Sequence, residues 1–438
     1  MKQHIRLKLR EAASTRYPYW QDILTTKENA RTQLHPEIER IFAQYQIPVW
    51  ITQEYCPKQR HWDAVELATG LRRIYRLICQ SDRQIPLQLI RELSDLSLVE
   101  DVSLGTIGQV NLPQLLPTQM SVITDRRSRD AIYLDEAHQL YTQGHPRIKV
   151  AVLDTGVNLH HPEYVANLLP GYDFVNIING ANKFVGDFLG YDEDPQDEVG
   201  HGTHVTGIIA AQGLNMPRGV VPQCQILPVR VLGAMKRGNK RVGAGLVDNI
   251  NSGIKWAIDR GAEVINMSLG IQHTGGGLPH QEVVDYAQRR GVTIVAASGN
   301  DGSEQLYYPG ALPYVIAVGA VDELGNMADF STYGQQVDLV APGTNIYSTH
   351  LNNEYAFSTG TSHASPFVAG AVAMLKSYAL QKRGASLSDS QVKYLLKHTA
   401  DRLDRRFKHR KAGFGKLNLI DALQLLKYKI TQEDYGVI

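Results

Sequence analysis

Cysteine is scarce in this chain: Cys56, Cys79 and Cys224 are the only three among 438 residues. An odd, widely spaced set is no disulfide framework, and the lack of a CxxC pair removes the usual zinc sites. The three read as reduced thiols in a reducing compartment. An excess of one charge is also missing. Lys and Arg number 45 against 44 Asp and Glu, a formal net charge of +1, which speaks against the basic surplus of a nucleic-acid or membrane-surface protein. No apolar run is long enough to cross a bilayer. The stretch Met1 to Arg10 alternates apolar and basic side chains and lacks the apolar core of a secretory signal. The expectation is a cytoplasmic protein with neither nucleic acid nor membrane among its partners. The rest of the composition is ordinary for a globular chain. Hydrophobic residues make up 43% and charged residues 20%, enough for a core in two or three domains, or in one large domain with an appendage.

Two textures succeed one another. From about Lys149, short β-branched runs alternate with helix-period stretches and Gly-rich turns. Strands are expected at Ile148–Leu153, Ile226–Leu232, Val264–Leu269, Val292–Ala297 and Val315–Val318, with helices at Val247–Arg260 and Gln281–Arg290. Such alternation implies an α/β fold with a mostly parallel sheet covered on both faces, whose site lies at the carboxyl ends of its strands. Asp154 and Asn300 fall at two of those ends.

Up to about Pro117 the chain is richer in Arg, Leu, Gln and Glu. Strand signals at Ile5–Leu9, Ile47–Gln53, Leu71–Cys79 and Leu98–Leu104, with helix signals at Pro36–Tyr45 and Pro86–Leu93, give a small βαββαβ, α+β unit. The segment Glu11–Gln33 is extra to that pattern. The division expected is an N-terminal domain over 1–112, a linker over 113–130, a larger domain over 131–428 and a short polar tail over 429–438.

The chemistry sits in three glycine- and threonine-punctuated contexts. They are Val152-Leu153-Asp154-Thr155-Gly156, His201-Gly202-Thr203-His204-Val205-Thr206-Gly207 and Gly360-Thr361-Ser362-His363-Ala364-Ser365-Pro366. Singly, an Asp at a strand end is usually a cap and a lone His is usually structural. Together, and in the order Asp, His, Ser, they resemble the subtilases, the subtilisin-like serine proteases. The resemblance implies a subtilisin-like parallel sheet flanked by helices, and an endopeptidase acting on protein or peptide substrates. Ser362 would be the nucleophile, His201 its general base and Asp154 the group that orients the imidazole. Ala296-Ala297-Ser298-Gly299-Asn300 matches the family's asparagine motif, so Asn300 would donate to the oxyanion.

The same resemblance implies a substrate lying as an extended strand. Ser268, Leu269 and Gly270 would form one wall of the specificity pocket, and Ala297, Ser298 and Gly299 the other. Tyr307 would stand on the floor, at a position that is small in many relatives. The segment Gly233–Gly243 would supply a second edge, made basic here by Lys236, Arg237, Lys240 and Arg241. No cofactor is required for such chemistry. A structural calcium is compatible with the family, with Glu163 at a ligand position, Gln212–Arg218 at the calcium loop, and Asp192, Glu193, Asp194, Asp197 and Glu198 as a second acidic cluster. His363 replaces a common methionine beside the nucleophile and could add a second titration. The N-terminal unit resembles a subtilase propeptide, which implies that the chain's own N-terminal domain is an inhibitory partner, with self-cleavage between about Asn111 and Arg129. The rival readings are a narrow-specificity processing protease or peptide ligase with the same nucleophile, and a catalytically silent binding protein.

Overall fold

A computed structural model of the chain describes residues 3–111, 125–176, 192–237, 240–272 and 278–434. The expected self-cleavage stretch lies largely outside these residues, at 112–124, as do the side chains of Arg237, Lys240 and Arg241.

The N-terminal domain reproduces the alternation in its sequence. Strands β1 (His4–Leu9), β2 (Val49–Gln53), β3 (Ile74–Cys79) and β4 (Val99–Leu104) form an antiparallel sheet in the order β2-β3-β1-β4. Side chains of a strand alternate between faces. One face presents Ile5, Leu7, Tyr75 and Leu77 to helices α1 (Pro36–Gln44) and α2 (Leu87–Ser94), closing an apolar core with Ile38, Phe42, Leu89 and Leu93. The other face carries His4, Arg6 and Arg76. A further strand, β5 (Ile107–Asn111), leaves this sheet and crosses to the rest of the molecule.

The larger region is built on seven strands whose pairings are all parallel, among the described residues. In chain order they are β6 (Lys149–Asp154), β7 (Tyr172–Asp173), β8 (Gln225–Arg230), β11 (Val264–Met267), β13 (Thr293–Ala297), β15 (Val315–Val321) and β16 (Val337–Pro342). Their spatial order is β16-β15-β13-β11-β6-β8-β7. A hairpin of β9 (Gly233–Arg237) and β10 (Lys240–Leu246), and the two-residue strands β12 (Ile271–Gln272) and β14 (Tyr307–Tyr308), lie outside this sheet. Helix α3 (His201–Ala210) and the long α6 (Thr361–Arg383) pack on one side, and α4 (Val247–Asp259) and α5 (Gln281–Arg289) belong to the core on the other. Helix α6 is buried from Thr361 to Ala379. Its run of Ala, Gly, Val and Ser suits a helix enclosed on all sides. The tail expected from residue 429 is instead the last turn and a half of a helix, Leu419–Asp434. Leu423, Leu426 and Ile430 recur at helical spacing and are buried against the core.

The polar face of the N-terminal sheet rests on α4 and α5 through buried charged contacts, beside an apolar cluster that joins Trp20, Tyr55, Leu71 and Ile74 to Ile250, Ile254 and Val283. His4 Nε2 meets Asp248 Oδ2 at 2.6 Å, and Arg6 pairs with Glu282. Arg76 holds Glu54 through two bonds of 2.6 and 2.8 Å and donates to Asn249 Oδ1 at 2.7 Å. Lys255 Nζ reaches Glu66 at 2.8 Å. The extra segment Glu11–Gln33 joins this contact: Trp20 is buried, lies under the Arg76 guanidinium, and donates through its indole to Ser252 Oγ at 3.2 Å.

Candidate active site

Three elements carry the expected residues. Asp154 ends β6, His201 opens α3 and Ser362 lies in the first turn of α6. Gly202 makes the first approach feasible. A Cβ there would fall 2.1 Å from the Gly156 carbonyl oxygen and 3.0 Å from the Asp154 Cβ. His201 Nδ1 consequently sits 2.6 Å from Asp154 Oδ1, and both residues are buried. Burial alone lowers the His201 pKa. The Asp154 charge and hydrogen bond raise it by more, so the net shift is upward from 6.5. The outer nitrogen, Nε2, has no partner among the described residues.

Sequence reasoning missed the residue that braces this corner. Asp197, read as part of an acidic ion-binding cluster, is buried. Its Oδ1 accepts from Thr155 Oγ1 and from the backbone N–H groups of Val199 and Gly200, and its Oδ2 accepts from Thr203 N and Oγ1. It thereby caps the first turn of α3. The only local signal was an acidic side chain four residues before His201.

Ser362 owes its setting to Pro366. A proline within a helix removes the N–H that would bond the carbonyl four residues back. Here that carbonyl belongs to Ser362, and Ser268 Oγ donates to it at 2.7 Å. In return the Ser362 hydroxyl donates to the Ser268 carbonyl at 3.1 Å. Asn300, past the end of β13, accepts at Oδ1 from Thr361 N at 2.8 Å and from Thr361 Oγ1 at 2.9 Å. Both contacts engage the oxygen, and the amide's donor, Nδ2, lies with the Ser362 N–H around Gly360, at the start of α6.

A cleft of about 440 Å³ joins Ser362, Asn300, Leu269, Gly270, Ala297, Gly299 and Tyr307. The hydroxyls of Ser268 and Ser298 turn away from it, the latter donating to the Thr332 carbonyl at 2.9 Å. The Tyr307 ring lies flush against two glycines: a Cβ at Gly299 would be 2.5 Å from it, and one at Gly270 2.9 Å from the Tyr307 side chain. Its hydroxyl donates to Asp301 and accepts from Gln272 Nε2 at 3.0 Å. One wall of the cleft comes from the N-terminal side. Strand β5 runs antiparallel to β10 with Gly108 opposite Gly245 and Val110 opposite Gly243, and both Gly108 and Val110 line the cleft.

Two expectations need correction. Glu163 is not available to calcium, because its carboxylate accepts from the N–H groups of Gly213, Leu214 and Asn215 at 2.7–3.0 Å and from the Tyr355 hydroxyl at 3.1 Å. These donors fill the oxygens that an ion would need. Among the described residues no group of three or more His, Cys, Asp or Glu side chains is arranged to hold a metal. His363 adds no titration near neutrality either. It is fully buried against the rings of His204 and His201, at centroid distances of 4.5 and 5.7 Å, and burial holds its pKa well below 6.5.

Residues 146–415 match the model of the Subtilase family, Peptidase_S8. The thermophilic serine proteinase of Bacillus sp. (strain AK1) is 39% identical over 294 residues, which cover 66% of this chain and 65% of that protein. Subtilisin Savinase of Lederbergia lenta is 40% identical over 257 residues, 58% of this chain and 84% of that one. The solved structure of the prenylagaramide maturation protease PagA is similar with a TM-score of 0.54 and 30% identity, covering 67% of this chain and 98% of the other. No helix among the described residues is long and apolar enough to cross a membrane. The family match spans more than half of the chain and contains Asp154, His201, Asn300 and Ser362, so this chain belongs to the subtilase family.

Proposed function

We propose that the chain is a serine endopeptidase acting through Asp154, His201 and Ser362, made as a precursor that its N-terminal domain restrains. The observation that carries this reading is the buried Asp154–His201 pair, whose outer nitrogen has no partner among the described residues, in the fold that also sets Ser362 on the cleft. Asp154 fixes the proton on Nδ1, so Nε2 is the basic nitrogen. On attack the Ser362 hydroxyl turns from the Ser268 carbonyl to Nε2 and gives up its proton there. Its oxygen bonds to the scissile carbonyl carbon, and the carbonyl oxygen becomes an oxyanion. Asn300 Nδ2 and the Ser362 N–H, at the positive end of α6, stabilise that charge. Collapse expels the amine, which leaves with the proton from His201. Water then repeats the sequence on the acyl-enzyme and releases the acid. The chemistry asks for no metal.

Two observations support the restraint. Strand β5 runs along β10 and shares the cleft with Ser362, where a substrate strand would pair. The N-terminal region is fastened to α4 and α5 by His4, Arg6, Tyr55 and Arg76. Self-cleavage is proposed between about Asn111 and Arg129. The Tyr307 ring removes pocket volume, so small or medium apolar side chains are proposed before the cut.

The test is labelling with a serine-reactive fluorophosphonate. The wild type should label at Ser362, and Ser362→Ala should lose both label and peptide hydrolysis while keeping its fold. Label at another serine would reject the assignment.

A further inference from the structure

A second cavity, far from the chemistry in sequence, takes no part in the reading above. It lies in the N-terminal domain between the segment Glu11–Gln33 and the domain body, and holds about 390 Å³. That is within the usual range of small-molecule sites. Its lining pairs three cations, Arg16, Arg60 and Arg72, with the rings of Tyr17, Tyr19 and Trp62. Arg16 and Arg60 are exposed, and Arg72 is half-buried. None of the three forms an ion pair with a carboxylate among the described residues; Arg16 Nη2 meets only His61 Nδ1, at 3.2 Å.

Arginine clusters of this kind suit an anion that can take several N–H donors at once. The lining holds one carboxylate, Asp22, so three guanidinium groups against one acid leave a formal +2 with His61 neutral. A single carboxylate ligand would leave charge over. A phosphomonoester, carrying about −1.5 to −2 at neutral pH, closes it. Phosphate alone would engage only the guanidinium groups, whereas a planar ligand can also pack on the rings that line the cavity. We propose that this cavity binds a small aromatic phosphomonoester, its phosphate on Arg16, Arg60 and Arg72 and its ring against the Tyr and Trp faces. A nucleoside monophosphate and a phosphorylated tyrosine share that chemistry. The cavity also borders the interdomain contact: Tyr55, in its lining, donates to Glu282 of α5 at 2.7 Å.

Isothermal titration of the full-length Ser362→Ala chain tests the proposal, with AMP, GMP and O-phosphotyrosine as probes and inorganic phosphate and adenosine as controls. At least one aromatic phosphate should bind about tenfold more tightly than either control, and Arg60→Gln/Arg72→Gln should weaken it about tenfold with thermal unfolding unchanged. The ratio of AMP or GMP to phosphotyrosine affinity identifies the source. Should the double variant unfold, Arg16→Gln, at an exposed position, is expected to weaken binding in the same direction. Absence of binding by all three probes at millimolar concentration, equal binding by inorganic phosphate, or undiminished binding by the folded variants would overturn it.

Discussion

Two of the places where the molecule buries charge differ in their surroundings. Asp154 and His201 belong to one packed unit, with Gly202 against the Gly156 carbonyl and Asp197 bracing the turn. His4, Arg6 and Arg76 meet Asp248, Glu282 and Asn249 across two units that residues 105–130 connect along the chain. Buried ion pairs contribute little net stability, since each ion gives up its hydration, yet removing one partner is costly. The first site lies inside a single unit. The second lies at a contact that is apolar as well as charged, since Trp20, Tyr55, Leu71 and Ile74 share a buried cluster with Ile250, Ile254 and Val283.

This contrast can be broken from either side. The largest effect belongs to the catalytic pair. Asp154→Asn should lower kcat by about 10⁴, the scale known for loss of the orienting acid in serine proteases, while leaving the N-terminal domain docked. In the wild type only neutral His201 accepts the proton, and its pKa is raised above 6.5. The kcat/KM profile should therefore fall as pH drops through a midpoint above 6.5 and level off above it. A midpoint below that value would contradict the assignment of base and partner.

Next in size is the interdomain contact. Glu282 accepts from both Arg6 and Tyr55. Glu282→Ala leaves Arg6 without that partner and should weaken docking by about 3–5 kcal/mol, read as a weaker inhibition constant for the released domain. The turnover of mature enzyme should not change. If turnover falls while inhibition holds, the two clusters are not separable in the way described.

Asn300→Ala comes third, with retained fluorophosphonate labelling and a loss of about 10²–10³ in kcat, the size known for the corresponding donor in a subtilisin. The smallest effect is on specificity. Tyr307→Gly should gain about tenfold in cleavage after Phe or Tyr relative to Ala in a peptide library. Efficient cleavage after aromatics in the wild type, unchanged in the variant, would remove Tyr307 from the pocket floor.

Most of the fold was legible because its signals are local. Alternation at Ile5–Leu9 and apolar runs such as Val264–Leu269 each placed a strand within a few residues. The Asp154, His201 and Ser362 contexts were legible because each packs glycine and threonine where backbones meet closely. The features that stayed hidden depend on partners distant in sequence. His4 and Asp248 are 244 residues apart, and no periodicity joins them. The near-zero net charge gave no sign that charges were sorted onto one interface. Glu163 resembled a calcium ligand by position, yet its role rests on three N–H groups of a loop some fifty residues on. The segment Glu11–Gln33 had no pattern to read, since its buried residues among those described, Trp20, Gln21 and Ile23, form one short cluster with no helix or strand period.

The central claim is that one serine both matures the chain and hydrolyses its substrates under restraint from the N-terminal domain. Intact mass and N-terminal sequence, tracked over time with peptide hydrolysis, test it most directly. The wild type should shorten to a species beginning between about Leu112 and Asp130, with activity rising as the released domain is degraded or diluted, and Ser362→Ala should remain full length and inactive. A wild-type chain that is fully active at full length, or a Ser362→Ala chain that still processes itself in isolation, would contradict the account.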